Sequence, residues 1–283
     1  MNGGRVSQVT KNTDKQTVDS FGDEWSRFDQ SELPDAESRT IFERYFAVFP
    51  WHELPADPVG FDMGCGSGRW ARWVAPRVGR LHCIDPSSAL DVAQRNLSGL
   101  PNVVFHSGGV DDKCLPTHSQ DFGYSLGVLH HIPDTEAALK ACVDMLKPGA
   151  PFQLYLYYSF DNRSTAFRMV WRASEFIRMV ISNLPPGPKV AAAEVLAATV
   201  YWPLARTAAL IEKLGVGVSW LPLSFYRDKS FYTMRTDSRD RFGTPLEQRF
   251  SRDDIQKMMV SAGLSRIEFS ETEPYWCAVG RKI

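Results

Sequence analysis

A short glycine-rich segment, Asp62-Met-Gly64-Cys-Gly66-Ser-Gly68, carries the most specific chemical signal in the chain. It follows a strand-like run and precedes a helical pattern, and glycines at such a junction let a ligand approach the backbone at a helix N-terminus. A dinucleotide-binding motif would need another glycine at position 69, where the chain has Arg69. The Asp62 carboxylate would repel a pyrophosphate and attract an ammonium group. The segment therefore predicts a site for a nucleoside that bears an amino acid.

The elements that must position this segment begin near residue 36, where helical and strand-like patterns start to alternate. Short β-branched or aromatic runs between amphipathic helical patterns are typical of a parallel sheet covered by helices, so the sequence predicts an α/β fold. The predicted strands are Pro58–Asp62, Arg80–Asp85, Asn102–His106, Asp121–Leu126, Phe152–Tyr158, Ser265–Ser270 and Tyr275–Arg281. The main predicted helices are Ala36–Phe49, Ser87–Leu97, Pro133–Leu146 and Ser251–Ala262, the last with Ser251 as its N-cap.

The alternation stops between residues 160 and 245, where helical, aromatic and arginine-rich segments occur without a strand pattern. We predict that residues 160–245 form a largely helical inserted cap. Residues 21–159 are expected to form an N-terminal flap and the ligand-binding core, and residues 246–283 the helix and strands that complete this core. Residues 1–20 contain no apolar stretch, so we expect a mobile tail without a signal peptide.

The composition of the 283 residues excludes several classes of protein. Lys and Arg (32) nearly balance Asp and Glu (33), so no DNA-binding role is expected. The five cysteines form no CxxC pair, which argues against a disulfide framework or a metal site and favours reduced thiols in the cytoplasm. The apolar stretch Val190–Leu210 contains Glu194, Pro203 and Arg206. Stable membrane insertion is therefore not expected, although an apolar helix can also lie in a membrane interface.

The glycine-rich segment resembles the first motif of the class I S-adenosylmethionine-dependent methyltransferases, an acidic residue followed by GxGxG after the first strand. The resemblance extends from about Val59 to the C-terminus. It implies a Rossmann-like, seven-stranded, mostly parallel sheet with helices on both faces, and S-adenosyl-L-methionine as the cofactor. The residues expected to contact the methionine part of that cofactor are Asp62, Gly64, Cys65, Gly66 and Gly68.

Asp85 ends the second predicted strand and is followed by Pro86. In the family, an acidic residue at this place binds the ribose hydroxyls, and a carboxylate at the carboxyl edge of a sheet can accept hydrogen bonds from both of them. The resemblance therefore implies that Asp85 and Pro86 contact the cofactor. The alternative role of Asp85 is to cap the helix that begins near Ser87.

Two further segments correspond to the rest of the cofactor pocket by resemblance. Val110-Asp111-Asp112 occupies the region of the third motif, whose acidic residue lies near the adenine. Either aspartate can reach the adenine amino group; we select Asp111 together with Val110, and a solvated loop charge is the alternative. Residues 121–134 resemble the fourth-strand segment of the small-molecule branch of the family, which implies that Leu126 and Gly127 line the pocket beside the methyl group.

Two histidines, His130 and His131, follow this strand directly. A histidine beside the methyl group can act as a general base because its unperturbed pKa of about 6.5 suits proton removal, although either residue could simply hydrogen-bond the loop. Strand alternation turns Tyr157 or Tyr158 towards the same site. We select Tyr157 as a third catalytic candidate and Tyr158 as a substrate contact.

The predicted cap contributes arginines beside aromatic residues, which can bind a carboxylate, phosphate or sugar acid through paired hydrogen bonds. The alternative is a salt-bridged surface over buried aromatic residues. The candidate substrate contacts in the cap are Tyr226, Arg227, Tyr232 and Arg235. Near the N-terminus, Phe21-Gly-Asp-Glu-Trp25 resembles an FGxEW spelling that forms a flap over the cofactor cleft in a subset of these enzymes.

The residues and the resemblance together predict a methyltransferase that acts on a small-molecule acceptor by in-line displacement, with oxygen, nitrogen and carbon acceptors all open. Alternatives are other chemistry of the same cofactor, such as cyclisation, and a non-catalytic partner subunit that keeps the fold. Protein or RNA acceptors are less favoured because the net charge is near zero. A homodimer is left open. An NAD-dependent oxidoreductase is disfavoured by Arg69.

Overall fold

A seven-stranded sheet forms the centre of the computed structural model, which describes residues 11–218 and 220–283. The strands lie in the order β3-β2-β1-β4-β5-β7-β6. All neighbours are parallel except β7, which runs antiparallel to both β5 and β6. The strands are β1 (Val59–Met63), β2 (Arg80–Asp85), β3 (Val103–Ser107), β4 (Phe122–Leu126), β5 (Pro151–Tyr155), β6 (Leu264–Phe269) and β7 (Ala278–Lys282). The predicted α/β fold with a mostly parallel sheet is confirmed.

Glycines allow the two central strands to accommodate large aromatic side chains. A Cβ atom at Gly60 of β1 would lie 2.3 Å from the ring of Phe122 on β4, and one at Gly123 would lie 2.4 Å from the ring of Phe61. Each aromatic ring therefore covers the neighbouring glycine. Phe61 and Phe122 are fully buried, in the two apolar layers that lie on opposite faces of the sheet. This packing fixes the ends of β1 and β4, from which the site residues project.

Helices cover both faces of the sheet. The helices before β5 are α1 (Lys15–Arg27), α2 (Asp35–Tyr45), α3 (Ala71–Val74), α4 (Ala89–Asn96) and α5 (Thr135–Asp144). After β5 follow α6 (Thr165–Ser182), α7 (Pro186–Leu196), α8 (Trp202–Lys213), α9 (Phe231–Gly243) and α10 (Arg252–Ser261). A π-helical stretch, Ala197–Tyr201, joins α7 to α8. Ser251 caps α10 and forms a capping box with Asp254, as its position before the helix predicts.

The tail predicted for residues 1–20 is wrong for residues 15–20, which form the first turns of α1. Asp14 caps this helix by accepting a hydrogen bond from the backbone N of Thr17 at 2.7 Å. Thr17 and Ser20 are buried against the rest of the molecule. Tertiary contacts thus stabilise a helix whose polar sequence suggested solvent exposure. Residues 1–10 lie outside the described residues.

The segment from α6 to α9 forms the helical region between strands that the sequence predicts. Its own apolar cluster contains Ile181, Tyr201, Ala205, Met234 and Phe242. Helix α9 packs against α6, α7 and α1, so this segment and the N-terminal helix meet above the sheet. None of the helices in the described part of the chain is long and apolar enough to cross a membrane.

Candidate functional site

A cleft of about 580 Å³ opens at the carboxyl ends of β1, β2, β4 and β5. The core contributes the loops that follow these strands, and α1, α6 and α9 form the opposite walls. The predicted residues that line the cleft are Gly64, Cys65, Gly66, Asp85, Pro86, Val110, Leu126, Gly127, His131, Tyr157, Tyr158 and Tyr226. Ligands of open α/β sheets bind at this edge, so the fold brings these residues together where binding is expected.

The turn after β1 requires glycine at two positions. Gly64 and Gly66 have φ values of 81° and 52°, a backbone conformation that other residues rarely adopt. A Cβ atom at Gly64 would lie 2.4 Å from Val128, and one at Gly66 would lie 3.1 Å from the indole nitrogen of Trp25. The turn therefore leaves its backbone accessible to a ligand between the core and α1.

Asp85 holds this turn in place. Its Oδ2 accepts a hydrogen bond from the backbone N of Gly66 at 2.8 Å, and its Oδ1 accepts from the N and Oγ of Ser87 at 2.9 and 2.6 Å. The alternative role of Asp85 as a helix cap is not seen, because the N-cap of α4 is Ser88. Burial raises the pKa of Asp85, and its hydrogen bonds oppose that shift. Oδ1 already accepts two hydrogen bonds, so the remaining lone pair, on Oδ2, is the one that can accept from a ligand hydroxyl.

Asp62 lies behind the turn, and the cleft lining does not include it. It is buried, and neither carboxylate oxygen has a hydrogen-bond partner among the described residues. Burial raises the pKa of Asp62 to about 8, against a smaller opposing effect of the Tyr124 hydroxyl. Gly68 is also outside the cleft lining, and a Cβ atom there would lie 2.8 Å from Leu97. Direct cofactor contact by these two residues remains a prediction.

The adenine side of the cleft differs from the sequence-based prediction. Val110 lines the cleft, as predicted, but Asp111 does not. The exposed Asp111 carboxylate accepts a hydrogen bond from the backbone N of Asn12, and Asp112 forms an ion pair with Lys11 at 2.9 Å. The residues just before α1 thus engage both aspartates, which corrects the expectation that Asp111 reaches into the pocket.

His131 and His130 occupy different environments. The Nδ1–H of His131 donates to the backbone O of Leu246 at 2.7 Å, which leaves Nε2, buried and without a partner in the described structure, as the ring nitrogen that can accept a proton. Burial lowers the pKa of His131, although Asp240 opposes this shift, so the ring is neutral at pH 7. His130 is completely buried and does not line the cleft; burial also lowers its pKa. The geometry favours His131 as the base.

Half-buried carboxylates form the wall of the cleft that α9 contributes. Asp237 and Asp240 are spaced three residues apart and face the same side of the helix. The hydroxyl of Tyr226 donates to Asp237 at 2.8 Å, and that of Tyr157 donates to Asp240. Burial raises the pKa of Asp237 to about 6 and raises that of Asp240. Two tyrosines predicted as site residues are therefore partners of acids that the sequence did not single out as site residues.

Glu24 of α1 joins this acidic wall. It lines the cleft, is completely buried, and neither carboxylate oxygen has a hydrogen-bond partner among the described residues. Burial raises the pKa of Glu24 well above its ordinary value, and the charge of Asp240 adds to that effect. Glu24 is the acidic residue of the FGxEW spelling, from which the sequence predicted roles for the aromatic residues only.

Three of the predicted acceptor contacts have partners outside the cleft. Arg227 pairs with Glu212 at 2.9 Å, and the guanidinium of Arg235 pairs with Glu194 at 2.8 Å. The hydroxyl of Tyr232 accepts a hydrogen bond from the backbone N of Gln30. None of Arg227, Tyr232 and Arg235 belongs to the cleft lining, which corrects the expectation of an arginine clamp. These two arginines instead form salt bridges outside the cleft, which was the alternative that the sequence left open.

Helix α1 covers the cofactor side of the cleft. The ring of Phe21 packs edge-to-face on His131 with centroids 4.9 Å apart, and Trp25 lies over Gly66. Both aromatic residues line the cleft. A Cβ atom at Gly22 would lie 2.5 Å from Ser88 Oγ, so glycine allows α1 to approach α4 closely. The aromatic pair thus lies where the predicted flap would exclude water.

The cleft fits an amino-acid-bearing nucleoside. The turn at Gly64 and Gly66 offers open backbone, and Oδ2 of Asp85 offers a lone pair for a ribose hydroxyl. The buried apolar side chains of Val110 and Leu126 can cover a purine and a thioether chain. These features fit the hydroxyl groups, the methionine chain and the purine of S-adenosylmethionine. None of them depends on the third glycine of a dinucleotide site, which this chain lacks.

Comparison with known proteins agrees with this geometry. Residues 61–154 match the methyltransferase domain family. The chain is 29% identical over 141 residues to a ubiquinone biosynthesis O-methyltransferase of Chromobacterium violaceum, covering 48% of this chain and 57% of that protein. The chain therefore matches little more than half the length of that curated relative.

Solved structures share the fold at low sequence identity. An O-methyltransferase family protein from Burkholderia thailandensis superimposes with a TM-score of 0.52 at 13% identity, over 87% of this chain and 56% of that one. A SAM-dependent methyltransferase from Methanosarcina mazei gives a TM-score of 0.50 at 15% identity, over 82% and 95% of the two chains. The matched domain at residues 61–154, the glycine turn and this sheet together show that the core of the chain has the fold of a methyltransferase domain.

Proposed function

We propose that the protein transfers a methyl group from S-adenosylmethionine to a small-molecule acceptor by in-line displacement. The observation that carries the proposal is that the Gly64–Gly66 turn, held by Asp85, and the ring of His131 line the same cleft. One side of this cleft can bind the cofactor, and the other presents a base. The matched methyltransferase domain supports the proposal. All five cysteines are free, which supports a cytoplasmic location.

Binding and alignment are the main tasks of the chain in such a reaction. When bound, the cofactor supplies an electrophilic methyl group on a sulfonium sulfur. Asp85 would accept a hydrogen bond from a ribose hydroxyl through Oδ2, and the Gly64–Gly66 turn would support the methionine chain. Phe21 and Trp25 cover this side of the cleft and would exclude water from it.

His131 is the residue best placed to accept a proton from the acceptor. The hydrogen bond from Nδ1 to Leu246 fixes the tautomer that leaves a lone pair on Nε2. Asp240 lowers the energy of the imidazolium that forms after proton transfer, because its negative charge favours the protonated ring. Tyr157 donates its hydroxyl hydrogen to Asp240 and so orients that carboxylate. Tyr157 is thus a positioning residue in this proposal.

The acceptor side is rich in hydrogen-bond acceptors. Glu24, Asp237 and Asp240 line it, whereas the predicted contacts Arg227 and Arg235 do not. Three other arginines that line the cleft are paired with glutamates: Arg163 with Glu273, and Arg241 and Arg249 with Glu247. We therefore propose an acceptor that presents hydroxyl or amine donors, and not one recognised through an anionic group. The curated relative acts on oxygen according to its name, O-methyltransferase, which supports a hydroxyl as the attacking group.

Ligand binding tests the cofactor half of the proposal. We expect S-adenosylhomocysteine to raise the Tm by about 5 to 10 °C at about 100 times its Kd, and NAD to leave it unchanged. The variant Asp85→Ala should lose this shift. The variant Asp91→Ala, which removes an exposed carboxylate from α4, is the matched control and should keep it. Stabilisation by NAD alone would overturn the assignment of the cofactor.

Transfer of a labelled methyl group tests the acceptor half. The protein is incubated with methyl-labelled S-adenosylmethionine and cell extract, which is then separated into small-molecule, protein and nucleic-acid fractions. We expect the label in the small-molecule fraction, and we expect the Asp85→Ala variant to lose it. Label in protein or RNA would contradict the proposed acceptor class.

A further inference from the structure

Helix α6 exposes an apolar stripe on the side that faces away from the molecule. Met169, Ala173, Phe176 and Val180 recur at the spacing of one helix face, beside Val170 and Ile177, and all six are exposed. The side chain of Phe176 is 68% exposed. The opposite side of the helix packs inward through residues such as Trp171, Arg178 and Ile181. An amphipathic helix of a water-facing surface would show polar residues on its outer side, so this stripe needs a covering partner.

Exposed apolar side chains also lie between residues 195 and 220, and two of them, Val200 and Leu204, share the cleft lining with Val170 of α6. The large apolar side chains involved are Val195, Val200, Trp202, Leu204, Leu210, Leu214, Val216 and Trp220. Leu214 is 75% exposed and Trp220 is 63% exposed. We call these residues and the α6 stripe together the apolar face. Two exposed tryptophans are notable because this residue favours the boundary between membrane and water.

Basic side chains flank the apolar face. Arg168 and Arg172 are exposed beside the stripe on α6, and Lys213 is exposed next to Leu214. No ion pair to a carboxylate is seen for these three residues in the described parts of the chain. The exposed acid nearby, Glu212, is already paired with Arg227. The free charge along this surface is therefore positive.

The mouth of the cleft opens onto the apolar face. Val170, Val200 and Leu204 are exposed and also line the cleft. The surface that needs a partner is thus continuous with the proposed acceptor site. An apolar molecule could move from a covering lipid phase into the cleft without crossing a polar rim at these residues.

We propose that the apolar face docks on an anionic lipid membrane, with α6 lying in the interface. Apolar side chains would enter the boundary between headgroups and acyl chains, and Arg168, Arg172 and Lys213 would contact the anionic headgroups. A second copy of the chain fits less well, because two such faces would bring unpaired cations together. Interfacial docking also agrees with the finding that no described helix is able to span a bilayer. An apolar tail on the acceptor would follow, and that consequence alone rests on the proposed function.

Flotation of the full-length protein with lipid vesicles tests the docking. We expect binding to vesicles of phosphatidylcholine with phosphatidylglycerol, and weaker binding to phosphatidylcholine alone. The double variant Phe176→Ser/Ile177→Ser should lower the partition coefficient at least tenfold, because it removes two large apolar side chains from the contact. Arg168→Gln and Arg172→Gln should each lower binding to the anionic vesicles by about fivefold, and added salt should reduce this difference.

Val260→Ser is the matched control, because Val260 is an exposed apolar residue on α10, outside the apolar face. It should bind vesicles like the unchanged protein. Failure of the unchanged protein to float, or equal binding by the α6 double variant, would overturn the proposal. A dimer in analytical ultracentrifugation that the α6 double variant abolishes would overturn it in favour of a second copy. Cofactor binding is measured separately with S-adenosylhomocysteine, so failure of the proposed function would not be mistaken for failure of docking.

Discussion

The two halves of the cleft are built in different ways. On the core side, consecutive loops at one sheet edge supply the site, and Asp85 reaches Gly66 because β1 and β2 are adjacent parallel strands. On the side of α9, pairs that are far apart in sequence make the wall, such as Tyr157 with Asp240 and Arg239 with Asp23. Local sequence therefore specifies the cofactor half, whereas the acceptor half depends on how helices pack over it.

The two halves also differ in how many hydrogen bonds their carboxylates accept. The carboxylate on the core side, Asp85, has three hydrogen-bond donors. Glu24 in the opposite wall has none in the described structure, and burial raises its pKa well above the ordinary value. A carboxylate that already accepts several hydrogen bonds is held in place before a ligand arrives. A buried carboxylate without donors is stabilised when a ligand donates a hydrogen bond to it. The difference suggests a preformed cofactor site facing a site that the acceptor completes.

Replacement of the proposed base should have the largest effect. His131→Gln should lower kcat by about 100-fold or more, the range for loss of general base catalysis, while S-adenosylhomocysteine binds as before. Activity should fall at a lower pH than for an ordinary histidine base, because burial lowers the pKa of His131 and the ring must be neutral to accept a proton. The measurement is kcat against pH with the acceptor that the methyl-labelling experiment identifies. His130→Gln is the control, since His130 lies outside the cleft lining, and an equal loss in both variants would remove the distinction between them.

Loss of Asp85 should act on cofactor affinity. Asp85→Ala removes the acceptor for a ribose hydroxyl and the bond to Gly66, so we expect affinity for S-adenosylhomocysteine to fall about 100-fold by calorimetry. The affinity of Asp85→Asn should lie between those of the unchanged protein and Asp85→Ala, because asparagine keeps one acceptor oxygen. Unchanged affinity in Asp85→Ala would mean that the glycine turn binds the cofactor without this carboxylate.

Two neighbouring residues of the Ser224–Asp228 turn should differ in their effect on activity, because Tyr226 lines the cleft and Arg227 does not. Tyr226→Phe removes the hydroxyl that donates to Asp237, and we expect kcat/KM to fall about tenfold. Arg227→Ala breaks a surface pair with Glu212 and should change kcat/KM less than twofold. Cofactor affinity should stay constant in both. Equal losses would show that the turn acts as one unit.

The smallest effect concerns stability and pH. A folded pKa of about 8 for Asp62, raised from an ordinary value of 3.8, means that its contribution to stability is fully present below pH 3.8 and is lost progressively as the pH rises to 8. Asp62→Asn mimics the protonated form, so the excess of its free energy of unfolding over that of the unchanged protein should grow by about 1 to 3 kcal/mol between pH 5 and pH 9. Urea unfolding at both values measures this. A less stable variant at pH 9 would show an ionised Asp62 with a favourable partner.

The sequence predicted the core well because its signals are local. The strand β2 was predicted with the bounds that it has, and Gly66, Asp85 and Leu126 lie at one edge because parallel strands end there. Asp111 was misplaced because its partner, Asn12, comes from about a hundred residues away. No spacing rule connects the two positions.

The helical segment was harder to predict for the same reason. Arg235 is drawn to Glu194 by the packing of α9 on α7, which residue types alone do not reveal. Glu24 lies within a spelling that the sequence did indicate, yet its carboxylate is important only because α1 packs against α9. The roles predicted for His131, Tyr157 and Tyr158 remain predictions, and the cleft brings all three together.

The contacts between α1 and α9 define the unit that could be exchanged between related proteins. The side chain of Asp23 pairs with the buried Arg239 at 3.2 Å, and Ser20 donates to the backbone O of Gly243. A chimaera that moved only residues 165–243 into a related protein would leave Asp23 behind and carry the buried guanidinium of Arg239 without its carboxylate. The two segments, far apart in the sequence, thus constitute a single module, and transplanting the acceptor specificity of this protein requires moving both.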